Sequence, residues 1–176
     1  MILETGRLVM RSWREEDLEP FAALNADPEV MEFFRAPLSR EESDAFAGRI
    51  MARMDELGYG LWALEVRETG EFIGFTGLAL QTFEAHFTPA VEVGWRLARS
   101  AWGHGYASEA ARRALDYGFA QAGLAEIVSM TAAINVRSRA VMERIGMTRD
   151  PDDDFGHPAV EPGHPLHPHV LYRVVR

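Results

Sequence analysis

The stretch Leu97-Ala-Arg-Ser-Ala-Trp-Gly-His-Gly-Tyr-Ala-Ser-Glu-Ala110 constrains this chain more than any other: an alternating strand ends, two glycines turn the backbone, and a helix begins at once. Such a junction leaves the first N–H groups of the helix without intrahelical partners and aims them, with the positive end of the helix dipole, at whatever fills the turn. Gly103 and Gly105 let a ligand come close to the backbone, and the small Ala107 leaves room for it. On its own a GxG turn is equally well explained by tight turning and helix packing. A dinucleotide-binding reading fits poorly: the third glycine position holds Ser108 and the turn lies past mid-chain, although Glu126 falls near the spacing of a ribose-binding acid.

Around this junction the hydrophobic period assigns the remaining elements. Arg7 to Trp13 alternates as a short strand, the acidic run Glu15-Glu16-Asp17 opens a helix to about Asn25, and Asp27-Pro28 ends it. Ser39 with Glu42 forms a capping box for a second helix to about Leu57. Leu61 to Arg67 and Phe72 to Leu80 read as a hairpin, and Val91 to Leu97 as a further strand. In that strand Val91, Val93, Trp95 and Leu97 share one face while Glu92, Gly94 and Arg96 share the other. A helix is predicted over Gly103 to Ala122, a strand over Ile127 to Ala133, and a helix capped by Asn135 to about Ile145. Asp150 to Pro168, thick in Pro, Gly, Asp and His, reads as a loop before a last strand from His169 to Val175. An antiparallel meander followed by βαβ units predicts one domain over residues 1–176, α+β in class, with helices on the faces of a mixed sheet.

Composition removes several chemistries. All 18 basic residues are Arg, so there is no Walker lysine and no lysine Schiff base, and with no Cys there is no disulfide, thiolate ligand or covalent cysteinyl intermediate. The net charge of −9 argues against nucleic acid or an anionic membrane as partner and favours a cationic acceptor. Yet between Arg96 and Arg144 seven arginines face four acids, so an anionic ligand belongs there, even though i,i+4 pairing on a solvated helix face accounts for several of them. The start lacks a secretory signal pattern and no run of apolar residues is long enough to span a membrane, which leaves a cytoplasmic protein as the expectation.

Trp102-Gly-His-Gly-Tyr-Ala-Ser-Glu-Ala110 resembles the acetyl-CoA signature of the GNAT superfamily of N-acetyltransferases, in a form similar to its Rim branch, the ribosomal-protein N-terminal acetyltransferases and their relatives. Leu3-Glu-Thr-Gly-Arg-Leu8, Val91-Glu-Val-Gly-Trp95, and Asn135-Val-Arg-Ser138 leading into Met142-Glu-Arg-Ile-Gly-Met147 extend the resemblance over nearly the whole chain. It implies a central, mainly antiparallel sheet, acetyl-CoA as cosubstrate and no metal. It also implies a pyrophosphate cradle from Gly103, His104, Gly105, Tyr106, Ala107 and Ser108, with Leu97, Asn135 and Ser138 as further cofactor contacts. Trp102 stands where many members have Arg or Gln, a change that backbone amides tolerate. The acceptor would be a primary amine, on a protein N-terminus or a small molecule, and Rim-like relatives are often homodimers.

Acetyl transfer to an amine requires a neutral nitrogen, a polarised thioester and a proton for the departing thiolate. Without cysteine, direct attack in a ternary complex is favoured, and an α-amine with a pKa near ~8 needs only a weak base. Glu92, away from the apolar row and just before the loop, is the candidate base, though an ordinary strand carboxylate explains it as well. The tyrosine that many GNAT members carry seven residues after the helix-start Asn is Met142 here, so the resemblance points to Ser138 as the proton donor. Asn135 and Ser138 are also what a plain helix start would contain. His157 and His164, with Phe33 and Phe34 opposite, are the candidate acceptor-binding residues, and either histidine is a second candidate base. A proline-stiffened surface loop is the alternative. A metal site from His157, His164, His167, His169 and Asp152 to Asp154 is disfavoured by irregular spacing. A polyamine or antibiotic acceptor, and a non-catalytic CoA-sensing module consistent with Met142, are the competing functions.

Overall fold

The computed structural model describes residues 2–176. Its strands are β1 (Leu3–Glu4), β2 (Leu8–Arg11), β3 (Leu61–Val66), β4 (Phe72–Gln81), β5 (Ala90–Leu97), β6 (Glu126–Ala132), β7 (Thr148–Arg149), β8 (Phe155–Gly156) and β9 (Pro168–Val175). Its α-helices are α1 (Leu18–Ala26), α2 (Arg40–Leu57), α3 (Tyr106–Ala120) and α4 (Val136–Arg144). The sheet runs β1-β2-β3-β4-β5-β6-β9-β7 with β8 against β9, and every neighbouring pair is antiparallel except β5 and β6. The mixed, helix-flanked α+β sheet expected from the element order is therefore present.

Alternation along β3 explains how the helices divide between the faces. Trp62 and Leu64 point into a cluster with Val93, Leu78 and the alanine face of α3, while Ala63 joins Phe75, Phe21, Ala47 and Ile50 beneath α1 and α2. Covered on both sides, β4 is buried along most of its length, which is why it reads as an apolar run.

Predicted helix starts hold where capping chemistry sets them. Ser39 accepts from the Glu42 amide at 3.2 Å, and Glu42 accepts from the Ser39 amide at 2.8 Å. Ser39→Ala is expected to cost about 1 kcal/mol, read as a melting temperature lower by roughly 3 °C. The acidic run expected to open the first helix forms a separate turn before it. Glu15–Asp17 form a 3₁₀ turn, and Asp17 is buried, taking both Nη groups of Arg11 at 2.8 and 2.9 Å while Arg11 Nε donates to Glu65. Asp17 thereby ties the helix entry to β2.

Two boundaries differ from the sequence reading. α3 begins at Tyr106 rather than Gly103, because Gly103 and Gly105 adopt left-handed backbone at φ +82° and +80° that a right-handed helix cannot include. The tail is less irregular than predicted: Asp150 caps a 3₁₀ turn over Pro151–Asp153, and β8 pairs with β9. Two-residue strands such as β1, β7 and β8 are too short to carry a readable period.

The feature that makes a site is the parting of β5 from β6. β4 and β5 pair at eight successive positions, whereas β5 and β6 are aligned only at Glu92 and Val128. Ser129 Oγ reaches the Val93 carbonyl at 2.9 Å, and beyond that point the strands diverge toward the start of α3. No helix among the described residues is long and apolar enough to cross a membrane.

Candidate active site

Between the diverging strands lies a cavity of about 1020 Å³, floored by β5 and β6 and walled by the start of α3, by α4, by the α1–α2 connection and by the tail. Backbone groups on the parted edges lack the strand partner that regular pairing would give, so an extended ligand carrying amides suits the slot. At its end the αL residue Gly105 is the N-cap of α3 with no side-chain cap, and the first backbone bond of the helix runs from Glu109 N–H to the Gly105 carbonyl. The space a Cβ of Gly103 would take is open. An anionic group fits this opening on hydrogen-bonding and dipole grounds.

The N-terminal segment holds the junction in place. Arg7 pairs with Glu109 at 2.6 Å, donates to the His104 carbonyl at 2.9 Å and lies over the Tyr106 ring, while Thr5 Oγ1 donates to Glu109 at 2.6 Å. Burial raises the affinity of the Glu109 carboxyl for its proton, but Thr5 and Arg7 outweigh it and hold its pKa below the ordinary value. The spacing of Leu3-Glu-Thr-Gly-Arg-Leu8 thus serves the glycine turn, with Arg7 reaching His104, 97 positions later. Arg144 donates to Ser108 Oγ at 3.3 Å, and Arg7, Arg112, Arg113 and Arg144, together with Glu4, Glu109 and Asp116, line a second cleft just outside the turn.

Glu92 sits at the fork itself. Its carboxylate accepts from Gln81 Nε2 at 2.6 Å and faces the Met130 amide. Desolvation outweighs the effect of both and pushes its pKa up to about 7. Ser138 also lines the cavity, and its hydroxyl makes no hydrogen bond among the described residues; only its amide is used, donating to Asn135 Oδ1 at 3.2 Å. Asn135 meanwhile donates to Thr131 Oγ1 at 2.9 Å, so its side chain is fully accounted for as a cap that also joins α4 to β6. Met142 is buried and offers no proton.

Of the residues singled out from the sequence, Phe33, Phe34, Glu92, Leu97, Gly103, Gly105, Tyr106, Ala107, Ser108, Asn135, Ser138 and His157 line the cavity. His104 and His164 do not. His104 is exposed and stacks on Tyr106, and His164 is exposed with Nδ1 accepting from the Leu166 amide. The tail histidines act as local staples: His157 Nδ1 accepts from the Ala159 amide and His167 Nδ1 meets the Val160 carbonyl. That bond makes Nε2 of neutral His157 the protonated nitrogen, which donates rather than accepts. Among the described residues no group of three or more His, Asp or Glu side chains gathers as a metal site would require. Sequence reasoning missed Phe46, Phe75, Phe83 and above all Arg96 as lining residues, although Arg96 lies on the same strand face as Glu92.

A family model described as an acetyltransferase (GNAT) domain matches residues 7–148. The uncharacterized protein YkkB of Bacillus subtilis is 34% identical over 148 residues, covering 82% of this chain and 84% of that protein. The FsC-acetyl coenzyme A-N(2)-transacetylase of Aspergillus fumigatus is 35% identical over 153 residues, covering 83% of this chain and 64% of its own length. A GNAT-family acetyltransferase structure from Bacillus anthracis superposes with a TM-score of 0.81 at 23% identity over 99% of this chain and 98% of that one, a likeness of fold. With its glycine turn, its forked sheet and a family match over most of its length, the chain belongs to the GNAT acetyltransferases and is an N-acetyltransferase.

Proposed function

We propose that the enzyme moves the acetyl group of acetyl-CoA to a neutral primary amine by direct attack within a ternary complex, with Glu92 as base and Ser138 as proton donor to the departing sulfur. Acetyl-CoA supplies the activated acyl group as a thioester. The α3 amides from Gly105 to Ser108 receive its pyrophosphate, and the arginine-lined cleft beside them suits the nucleotide end. The parted edges of β5 and β6 receive the amide-bearing arm.

The observation that carries this reading is Glu92: a carboxylate at the strand fork whose pKa, about 7, makes it half-ionised at neutral pH. It takes one proton from the incoming ammonium, directly or through one water; the neutral amine attacks the thioester above Gly94, the C–N bond forms as the C–S bond breaks, and the second nitrogen proton replaces the one that Ser138 gives to the departing sulfur. The resemblance of Trp102 to Ala110 to the Rim form of the signature and the free hydroxyl of Ser138 support a Rim-like member. The Aspergillus relative, named for a transfer from acetyl coenzyme A to an N(2) nitrogen, supports a small-molecule amine as readily as a protein N-terminus.

Calorimetric titration of acetyl-CoA, followed by release of free CoA thiol in the presence of amines, tests the proposal. Binding with amine-dependent thiol release supports it; binding without turnover on any amine favours a CoA-sensing role, the reading that buried Met142 in place of a tyrosine would suit. Ser138→Ala is expected to lower kcat by roughly tenfold with acetyl-CoA affinity unchanged, since water can replace one proton donor. An unchanged kcat would remove Ser138 from the mechanism.

A further inference from the structure

Resting on the acetyl-transfer reading, we infer that the acceptor carries an anionic group, held by Arg96, on an apolar body that also bears the amine. Arg96 projects from the same face of β5 as Glu92, into the part of the cavity that faces α1 and α2. Between them Gly94 has nothing within 4 Å of where a Cβ would stand, so the floor from carboxylate to guanidinium is open. The two groups therefore bracket one compartment, walled by Phe33, Phe34, Phe46, Phe75 and Phe83.

Arg96 is built into place and left without a counterion. Its Nη1 donates to Asn25 Oδ1 at 2.6 Å, and Asn25, fully buried, donates in turn to Ser43 Oγ at 2.9 Å. The guanidinium lies 4.1 Å from the Phe34 ring centroid, with Phe46 and Phe75 at 5.4 and 5.6 Å. Nε is buried with no partner, and no carboxylate among the described residues pairs with Arg96. Desolvation lowers its pKa to about 10, a measure of how poorly the charge is compensated. A half-buried cation with a buried, unpartnered Nε, held by neutral groups and aromatic faces, is the arrangement that an anion on the ligand completes. The other charged lining residues are Arg35, Arg144 and Arg137, the last paired with Glu32, and Glu92 is the single acid on the lining. A polyamine would bring further positive charge beside Arg96, so the inferred acceptor differs from the cationic one that the overall charge of −9 favours.

Phenylacetate, phenylalanine, 2-phenylethylamine and spermidine test this on the whole chain. Phenylacetate is expected to bind in the presence of CoA, and kcat/KM for phenylalanine is expected to exceed that for 2-phenylethylamine by at least about tenfold. In Arg96→Gln both the binding and the preference should fall by about tenfold or more. Asn25→Asp, nearly isosteric, should do the same by giving the guanidinium an internal counterion, which guards against misfolding of the first variant. Absent phenylacetate binding by protein that binds acetyl-CoA, binding unchanged in both variants, or a preference for spermidine overturns the inference while leaving acetyl transfer intact. Loss of phenylacetate binding in the variants upholds the anion site even if none of these amines is acetylated. Failure to bind acetyl-CoA is the separate failure of the underlying function.

Discussion

Glu92→Gln is expected to lower kcat/KM by about 10²-fold and to erase the acidic limb of its pH profile. Wild-type activity should rise with pH through an apparent pKa of about 7, where the Glu92 carboxyl ionises. A second limb belongs to the amine and shifts when the amine is changed; only that limb should survive in the variant. The Gln side chain is nearly isosteric and keeps one oxygen to accept from Gln81 Nε2, so acetyl-CoA affinity should be unaltered. If the limb near neutrality persists, the base is another group and the fork carboxylate is structural.

The same substitution makes a stability statement of opposite sign. A free glutamate ionises near 4.5, whereas burial holds Glu92 near 7, so the unfolded chain releases this proton first. The contribution of the neutral carboxyl to stability is complete below about 4.5 and is lost as pH rises through about 7. Glu92→Gln should therefore be no more stable than wild type in acid and more stable at pH 8, by on the order of 3 kcal/mol at most. Denaturant midpoints at the two pH values read this directly. A variant at once less active and more stable above neutrality identifies a carboxylate kept for chemistry rather than for the fold.

What could be read from residues alone follows the range of the interaction. Helices set by local rules, such as the Ser39 capping box and the Asn135 cap, appear where the sequence puts them, and the strand face carrying Glu92 follows from alternation. Arg96 obeys the same alternation, yet its significance depends on Asn25, seventy-one positions away, and on aromatic rings from α2 and β4. Charge counting could register it only as one of a basic group. His164 shows the reverse error. Its histidine-rich context suggests a site, but a two-residue hydrogen bond to Leu166 fixes it in the loop and leaves it at the surface. The divergence of β5 from β6 has no signature in either strand, because it is a property of their pairing.

Gly105→Trp should abolish measurable acetyl-CoA binding, a loss of at least about 10²-fold, and with it all turnover. Two causes act together at this position. The backbone stands at φ +80°, where a side-chain-bearing residue is strained by roughly 1–3 kcal/mol. An indole at the mouth of the α3 amides would also occupy the space that a pyrophosphate needs. Gly105→Ala separates these causes: it carries the strain, and its Cβ would lie 3.6 Å from Arg7 Nη2, an ordinary contact. It is expected to melt lower while keeping much of its affinity. Equal loss in both variants would trace the effect to distortion of the turn, whereas loss confined to Gly105→Trp assigns the cofactor to the cradle. Wild-type affinity in the tryptophan variant would move the pyrophosphate elsewhere and reduce the glycine pair to a turn that starts a helix.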